Sequence, residues 1–203
     1  MADIRFNKFL LFVNALVPLV LLGWDAYNGS LGANPIEFFL RTTGVLTLLF
    51  LLLGLSVTPI RKIFGFNNLI KFRRMLGLFA FFYGCVHLAT YLLFDRGWNF
   101  SGTMNDVVQR PFIAIGMASF IMMIPLAITS TNGMVKRLGG KNWQRLQRLS
   151  YLIAIGGVIH FWMIVKSDIF YPAVFATALA FLLGYRLLLR LFPKAQVPKA
   201  ASR

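Results

Sequence analysis

A chain of 203 residues has room for one domain or two small ones. Hydrophobic residues make up 58% of it and charged residues only 13%, about half the ~25% of soluble domains, with a mean hydropathy of +0.71. These values exclude a disordered chain, a disulfide-stapled scaffold and an ordinary soluble enzyme, and they point to an all-α polytopic membrane protein. The net charge of +15 then reads as topology signals between apolar runs, not as a nucleic-acid footprint.

Six stretches carry no Asp, Glu, Lys or Arg: Phe9–Trp24, Thr42–Ile60, Met75–Phe94, Pro111–Val135, Leu149–Val165 and Ile169–Tyr185. A crossing takes about 20 mainly apolar residues. The first stretch is short, but Lys8 can snorkel and Trp24 can sit at the interface. A signal peptide is the competing reading there, and Trp24-Asp25 is a poor cleavage site. The spacing therefore predicts one transmembrane domain, residues 1–203, with six spans. Gly29, Gly32, Asn34 and Pro35 mark turns in the connection 25–41, and residues 95–110 form a second connection on the same side. The last two spans are joined by a minimal turn at Lys166-Ser167-Asp168. No internal repeat is evident.

Lys and Arg divide unevenly across such a bundle. One side holds Arg5, Lys8, Arg61, Lys62, Lys71, Arg73, Arg74, Lys136, Arg137, Lys141, Arg145, Arg148, Arg186, Arg190, Lys194, Lys199 and Arg203. The other holds Arg41, Arg96, Arg110 and Lys166. The positive-inside rule puts the first side, and both termini, in the cytoplasm.

The chain has two histidines, His87 and His160, and both lie in spans. An ionisable residue in a span is a functional-site hypothesis by default. His87 is 13 residues beyond Arg74 and His160 is 12 beyond Arg148, so each sits ~18–20 Å along its helix from the inner edge. Two parallel helices thus carry histidines at one depth, nearer the outer face, where two imidazoles can hold one metal from opposite sides. Gly84 and Gly157 each lie three residues before a histidine, on its helix face, and leave room for a flat macrocycle. Ala80 and Gly156 extend that small surface. The competing reading is helix packing, with neutral imidazoles bonded to a neighbouring helix. Zinc wants about four donors, Cys85 points off the histidine face, and no acid lies in a span. A bis-imidazole haem needs only the two histidines.

Several further motifs keep their order and spacing along the chain: Leu31-Gly32-Ala33-Asn34-Pro35, Thr58-Pro59, Arg73-Arg74-Met75-Leu76-Gly77-Leu78, His87-Leu88-Ala89-Thr90-Tyr91, Arg110-Pro111, Leu126-Ala127-Ile128-Thr129-Ser130, Trp143-Gln144-Arg145-Leu146, Tyr151 and His160. Through these, residues 20–190 resemble the MsrQ family, the haem-binding membrane subunits of methionine sulfoxide reductase systems, among the ferric-reductase-like transmembrane proteins. The resemblance implies a subunit of the bacterial inner membrane with no substrate chemistry of its own. It implies electrons taken from the quinone pool or a cytoplasmic flavin reductase, carried by haem b with FMN as a further cofactor, and delivered to a periplasmic molybdenum-containing reductase (MsrP-like) that repairs oxidised proteins. On this reading His87 and His160 are the axial haem ligands. The family's additional histidine falls at Gln147 here, so the chain offers bis-histidine ligation to one haem.

A haem at that depth is far from a cytoplasmic donor. Either a quinone approaches laterally or a flavin bridges the inner half. Arg73, Arg74, Arg145 and Arg148 can hold a flavin phosphate, with Trp143 or Tyr151 near the ring; the competing reading is orientation charges and an aromatic belt. Tyr91, Arg110 and Lys166 are placed to meet haem propionates. The alternatives are a transmembrane ferric or quinone-linked reductase with another acceptor, a cofactor-free anchor, or a transporter with a histidine proton relay, which would want intramembrane acids.

Overall fold

The computed structural model describes residues 4–165 and 167–192. Lys166 and the tail cations Lys194, Lys199 and Arg203 lie outside them. Among the described residues every regular element is helical. Five helical segments are long and apolar enough to cross a membrane: Ile4–Tyr27 (α1), Pro35–Phe64 (α2), Arg73–Asp95, Pro111–Ile128 (α5) and Phe170–Leu191 (α9). The protein is a multi-pass helical membrane bundle. The expected fifth span forms α8, Leu149–Ile164, with 16 residues. That is ~24 Å of helix, short of the ~20 residues of a full crossing, so the expected count of six rests on α8.

Local chemistry sets the boundaries. Pro35 opens α2 at its first position, where its missing N–H costs nothing. Asn34 caps the helix by accepting from Glu37 N at 3.3 Å, and its amide donates to the Glu37 carboxylate at 2.9 Å. Gly65 ends the helix with φ +75°, and its N–H donates to Arg61 O. Helix α3, Arg73–Thr90, runs on through a π turn, Tyr91–Asp95. Gly97 and Trp98, at φ +54° and +62°, then reverse the chain.

The connections carry helices of their own, and one expected span is shorter. Residues 95–110 contain a helix, Phe100–Gln109 (α4), capped by Asn99, which accepts from Gly102 N at 2.8 Å. The fourth span was expected to reach Val135, but α5 stops at Ile128. Pro125 removes an N–H from the last turn, and the Thr129 and Ser130 hydroxyls donate back to Pro125 O and Leu126 O, each at 2.6 Å. Thr131 then caps a separate short helix, Asn132–Leu138 (α6), followed by Gly140–Leu146 (α7).

The packing has a simple plan. α2 packs tightly on α3, and α5 packs tightly on α8; α3 touches α5 and α2 touches α8. The four form a ring in which α3 and α8 are diagonal. α9 seals the α2–α8 side through Leu48, Leu52, Leu55, Ala154, Val158, Leu179 and Leu182. α1 lies against the other side, where Phe12, Phe79, Phe50 and Tyr83 form a ladder of rings about 5.5 Å apart.

Most of α1 is exposed at the bundle's edge. Tyr83, fully buried on α3, tethers it: the hydroxyl donates to Ala15 O at 2.6 Å, one turn before Pro18. Tyr83→Phe is expected to lower stability by about 1 kcal/mol and to loosen α1 selectively. Proteolysis or hydrogen exchange of α1 against α2 checks this; equal protection of α1 in both proteins would count against the tether.

Candidate metal centre

His87 on α3 and His160 on α8 face one another across the ring of four helices. Their ring centres are 6.3 Å apart and their planes are perpendicular. Each ring is fixed by the helix beside it. His87 Nδ1 donates to Leu40 O on α2 at 2.9 Å, and His160 Nδ1 donates to Phe112 O on α5 at 2.6 Å. A carbonyl can only accept, so Nδ1 carries the hydrogen and Nε2 keeps its lone pair in both rings. Metal-ligating histidines show this second-shell pattern. Thr43, fully buried, places its hydroxyl 3.5 Å from His87 Nδ1.

One helical turn beyond each acceptor carbonyl stands a glycine. A Cβ on Gly44 would lie 3.2 Å from His87 Cε1 and Nδ1, and one on Gly116 would lie 2.8 Å from the same atoms of His160. These glycines let each ring approach its partner helix. Sequence reasoning missed both, because spacing within a helix says nothing about what a neighbouring helix presses against it. It found Gly84 and Gly157, which line the same cavity. Their added Cβ atoms would meet Phe120 at 3.4 Å and Leu48 at 3.3 Å, across the ring of helices. Gly156 instead abuts Ser119, and Ala80 is buried in the core.

The arrangement is an internal repeat that the sequence did not reveal. Leu40, Gly44, Gly84 and His87 correspond to Phe112, Gly116, Gly157 and His160. The carbonyl-to-histidine separations are 47 and 48 residues. What repeats is a carbonyl, a missing Cβ and an imidazole, while the connections are unlike: a 3-10 turn, Asn67–Lys71, in one half and α6–α7 in the other.

Between the histidines lies a cavity of about 320 Å³. Its mouth, at the end where α2 and α5 begin, has the charged residues Glu37, Arg41, Asp95 and Arg110, together with Tyr91. Its deep end is apolar, with Leu51, Met123 and Ile153. Ser119 also lines it, and its hydroxyl is the one buried side-chain polar atom without a hydrogen-bond partner among the described residues. Also among the described residues, no group of three or more His, Cys, Asp or Glu side chains can hold a metal. The imidazoles that face the cavity are those of His87 and His160.

The residues expected at the mouth share one partner. Buried Asp106, on α4, accepts from the Tyr91 hydroxyl at 2.6 Å and pairs with Arg96 and, at 3.4 Å, with Arg110. Arg110 is half exposed and keeps free donors, whereas the Tyr91 proton is committed to Asp106. Arg41, held by Glu37 at 3.0 Å, is a mouth cation that sequence reasoning passed over.

The residues expected around a flavin separate into groups. Arg74 donates to Asn132 Oδ1 at 2.5 Å, and Trp143 Nε1 donates to Thr129 O at 3.0 Å; both brace the break after α5. Gln147 sits there too, donating weakly to Leu126 O at 3.4 Å. Arg145 and Arg148 are exposed. Tyr151 lies elsewhere, its ring beneath the guanidinium of Arg186, with Arg73 in electrostatic range of the same group.

Residues 39–158 match the family described as ferric reductase like transmembrane component. That stretch holds both acceptor carbonyls, all four cavity glycines and His87, and ends two residues before His160. Three similar proteins are each named protein-methionine-sulfoxide reductase heme-binding subunit MsrQ. The one from Herminiimonas arsenicoxydans is 51% identical over 181 residues, covering 88% of this chain and 83% of its own. The one from Rhodospirillum rubrum is 46% identical over 183 residues, covering 90% and 88%. The one from Azospira oryzae is 44% identical over 201 residues, covering 96% and 86%. With identities this high over nearly the whole length, the chain belongs to the MsrQ family of ferric-reductase-like transmembrane proteins.

Proposed function

We propose that the chain is a haem b electron-transfer subunit of the bacterial inner membrane, with six crossings and both termini cytoplasmic. On this reading it passes electrons from the quinone pool, or from a cytoplasmic flavin reductase, to a periplasmic molybdenum-containing reductase of methionine sulfoxide. The observation that carries the reading is the pair of imidazoles. A nitrogen bound to a first-row metal is about 2 Å from it, and the ring centre is roughly 1 Å farther. Two imidazoles on one metal therefore have centres about 6 Å apart, and here the distance is 6.3 Å.

The rest of the cavity fits a flat, apolar group with anionic substituents. His87 and His160 hold the iron, and the Leu40 and Phe112 carbonyls hold the rings. Gly84 and Gly157 keep the walls clear, while Leu51, Met123 and Ile153 exclude water at the deep end. Arg110 and Arg41 offer donors at the mouth to carboxylates. When bound, haem b with two imidazole ligands supplies one-electron transfer without an open iron position for oxygen or substrate. With quinol as donor the overall reaction balances: quinol and methionine sulfoxide give quinone, methionine and water. A flavin, if the donor route uses one, has Arg73, Arg74, Arg145 and Arg148 as its phosphate donors and Tyr151 or Trp143 near the ring, with Arg74 and Trp143 also bonded at the break after α5.

Proteoliposomes holding the protein and a quinol pool test the reading. Quinol is expected to reduce the haem, and adding the periplasmic reductase with an oxidised methionine substrate is expected to reoxidise it. A haem that stays reduced under these conditions would overturn the proposed acceptor.

A further inference from the structure

The connection between α3 and α5 carries α4, Phe100–Gln109, a helix of 10 residues and so about 15 Å long. It is too short to cross a hydrocarbon core of about 30 Å. It joins the ends of two crossing segments, Arg73–Asp95 and Pro111–Ile128.

At about 100° per residue the surface of α4 divides into three strips. The first faces the bundle and holds Thr103 and Asp106, both buried. From it Asp106 reaches Tyr91, Arg96 and Arg110, and α4 packs on α5. The second holds Phe100, Met104 and Val108, one turn apart and 75%, 48% and 81% exposed. The third holds Ser101, Asn105 and Gln109, also exposed. The exposed half of the helix is thus an apolar line beside a polar line, and neither carries a charge for a charged partner to meet.

That split is the pattern of a helix lying in the plane between lipid and water. An apolar line left exposed marks a partner or a membrane. The membrane is the partner at hand, because the helices that α4 joins enter it at both of α4's ends. The turn before α4 agrees. Trp98 is the one non-glycine residue at positive φ among the described residues, at +62°, a costly conformation for a bulky side chain. Its N–H donates to Leu92 O at 2.9 Å, and the residue is exposed. Phe94, at the end of the crossing segment, is exposed as well. Tryptophan is enriched at the headgroup level of membranes.

We propose that α4 is an interfacial helix. Phe100, Met104 and Val108 sit in the lipid leaflet at the mouth end of the bundle, Trp98 sits among the headgroups, and Ser101, Asn105 and Gln109 face water. The same helix carries Asp106, so one support ties the leaflet to Tyr91, Arg96 and Arg110 at the mouth. The inference concerns the lipid contact alone and holds whether or not the haem reading does.

Spin labels test the two exposed strips in the full-length protein in phosphatidylcholine nanodiscs. Cysteines are introduced singly at Phe100, Ser101, Met104, Asn105, Val108 and Gln109 in a Cys85→Ser background. Access of dissolved oxygen, which concentrates in lipid, is compared with access of a water-soluble nickel chelate. The oxygen-to-nickel ratio is expected to be several-fold higher at Phe100, Met104 and Val108 than at the other three. Equal nickel access to both strips would place the apolar line in water. Exclusion of both probes from it would place it under protein, a second copy of the chain included. Either result overturns the proposal. Native tryptophan gives a check that needs no cysteine. Lipids brominated near the headgroup should quench a larger fraction of the fluorescence in the wild type than in Trp98→Phe, and equal fractional quenching would overturn the seat.

Discussion

His87→Ala and His160→Ala are each expected to lose the haem while the chain still inserts. Each removes one of two iron ligands, and no third imidazole exists to replace it. Each also removes one hydrogen bond to a carbonyl, Leu40 O or Phe112 O, at a cost of about 1 kcal/mol; Leu40 O keeps the Thr43 hydroxyl as a donor. That cost is local, because the aromatic ladder beside α1 and the α9 seam do not pass through either ring. Added imidazole should enter the vacated space and restore part of the low-spin spectrum. If both variants keep a full haem complement and an unchanged spectrum, the ligand assignment is wrong.

The second large effect is expected at a residue that touches no cofactor. In Gly116→Ala the new Cβ would stand 2.8 Å from His160. The ring cannot retreat without breaking its bond to Phe112 O. Overpacking of this kind costs about 1–3 kcal/mol, equivalent to roughly tenfold to a hundredfold in haem affinity. The helix itself should gain slightly, since alanine is the better helix former by about 0.5–1 kcal/mol. Gly44→Ala should act on His87 in the same sense and more weakly, its contact being 3.2 Å. Gly84→Ala and Gly157→Ala reduce the room in the cavity without pressing on a ligand. They should lower haem content while the remaining haem keeps its low-spin spectrum, whereas Gly116→Ala should alter the spectrum itself. An unaltered spectrum and content in Gly116→Ala would show that the ring has freedom this packing denies it.

The histidine pair was legible in the sequence because depth along a helix is arithmetic. A rise of 1.5 Å per residue and a charged starting edge place His87 and His160 at one level without any knowledge of packing. The glycines at i−3 were legible for the same reason. Gly44 and Gly116 were not, because their function depends on which helix lies opposite. The repeat stayed hidden because a carbonyl has no side chain to match.

Helix ends were less legible than helix centres. Hydropathy carried the fourth span to Val135, but hydroxyls that turn back on their own helix stopped it at Ile128. A charge count cannot anticipate that competition. The basic loops were read as one candidate flavin region. The fold divides them, because Arg74 and Trp143 find partners at the end of α5 while Tyr151 lies toward Arg186. Arg186 itself was counted only as a tail charge, and Thr58-Pro59 only as part of a motif. Their connection, in which Arg186 Nη2 donates to the Leu55 carbonyl that Pro59 leaves free, spans 131 residues.

The most direct test of two imidazoles holding one haem is a reduced-minus-oxidised visible spectrum of the purified protein with a pyridine haemochrome count per chain. The account predicts one low-spin b haem per chain. Colourless protein, a high-spin haem, or two haems per chain would contradict it.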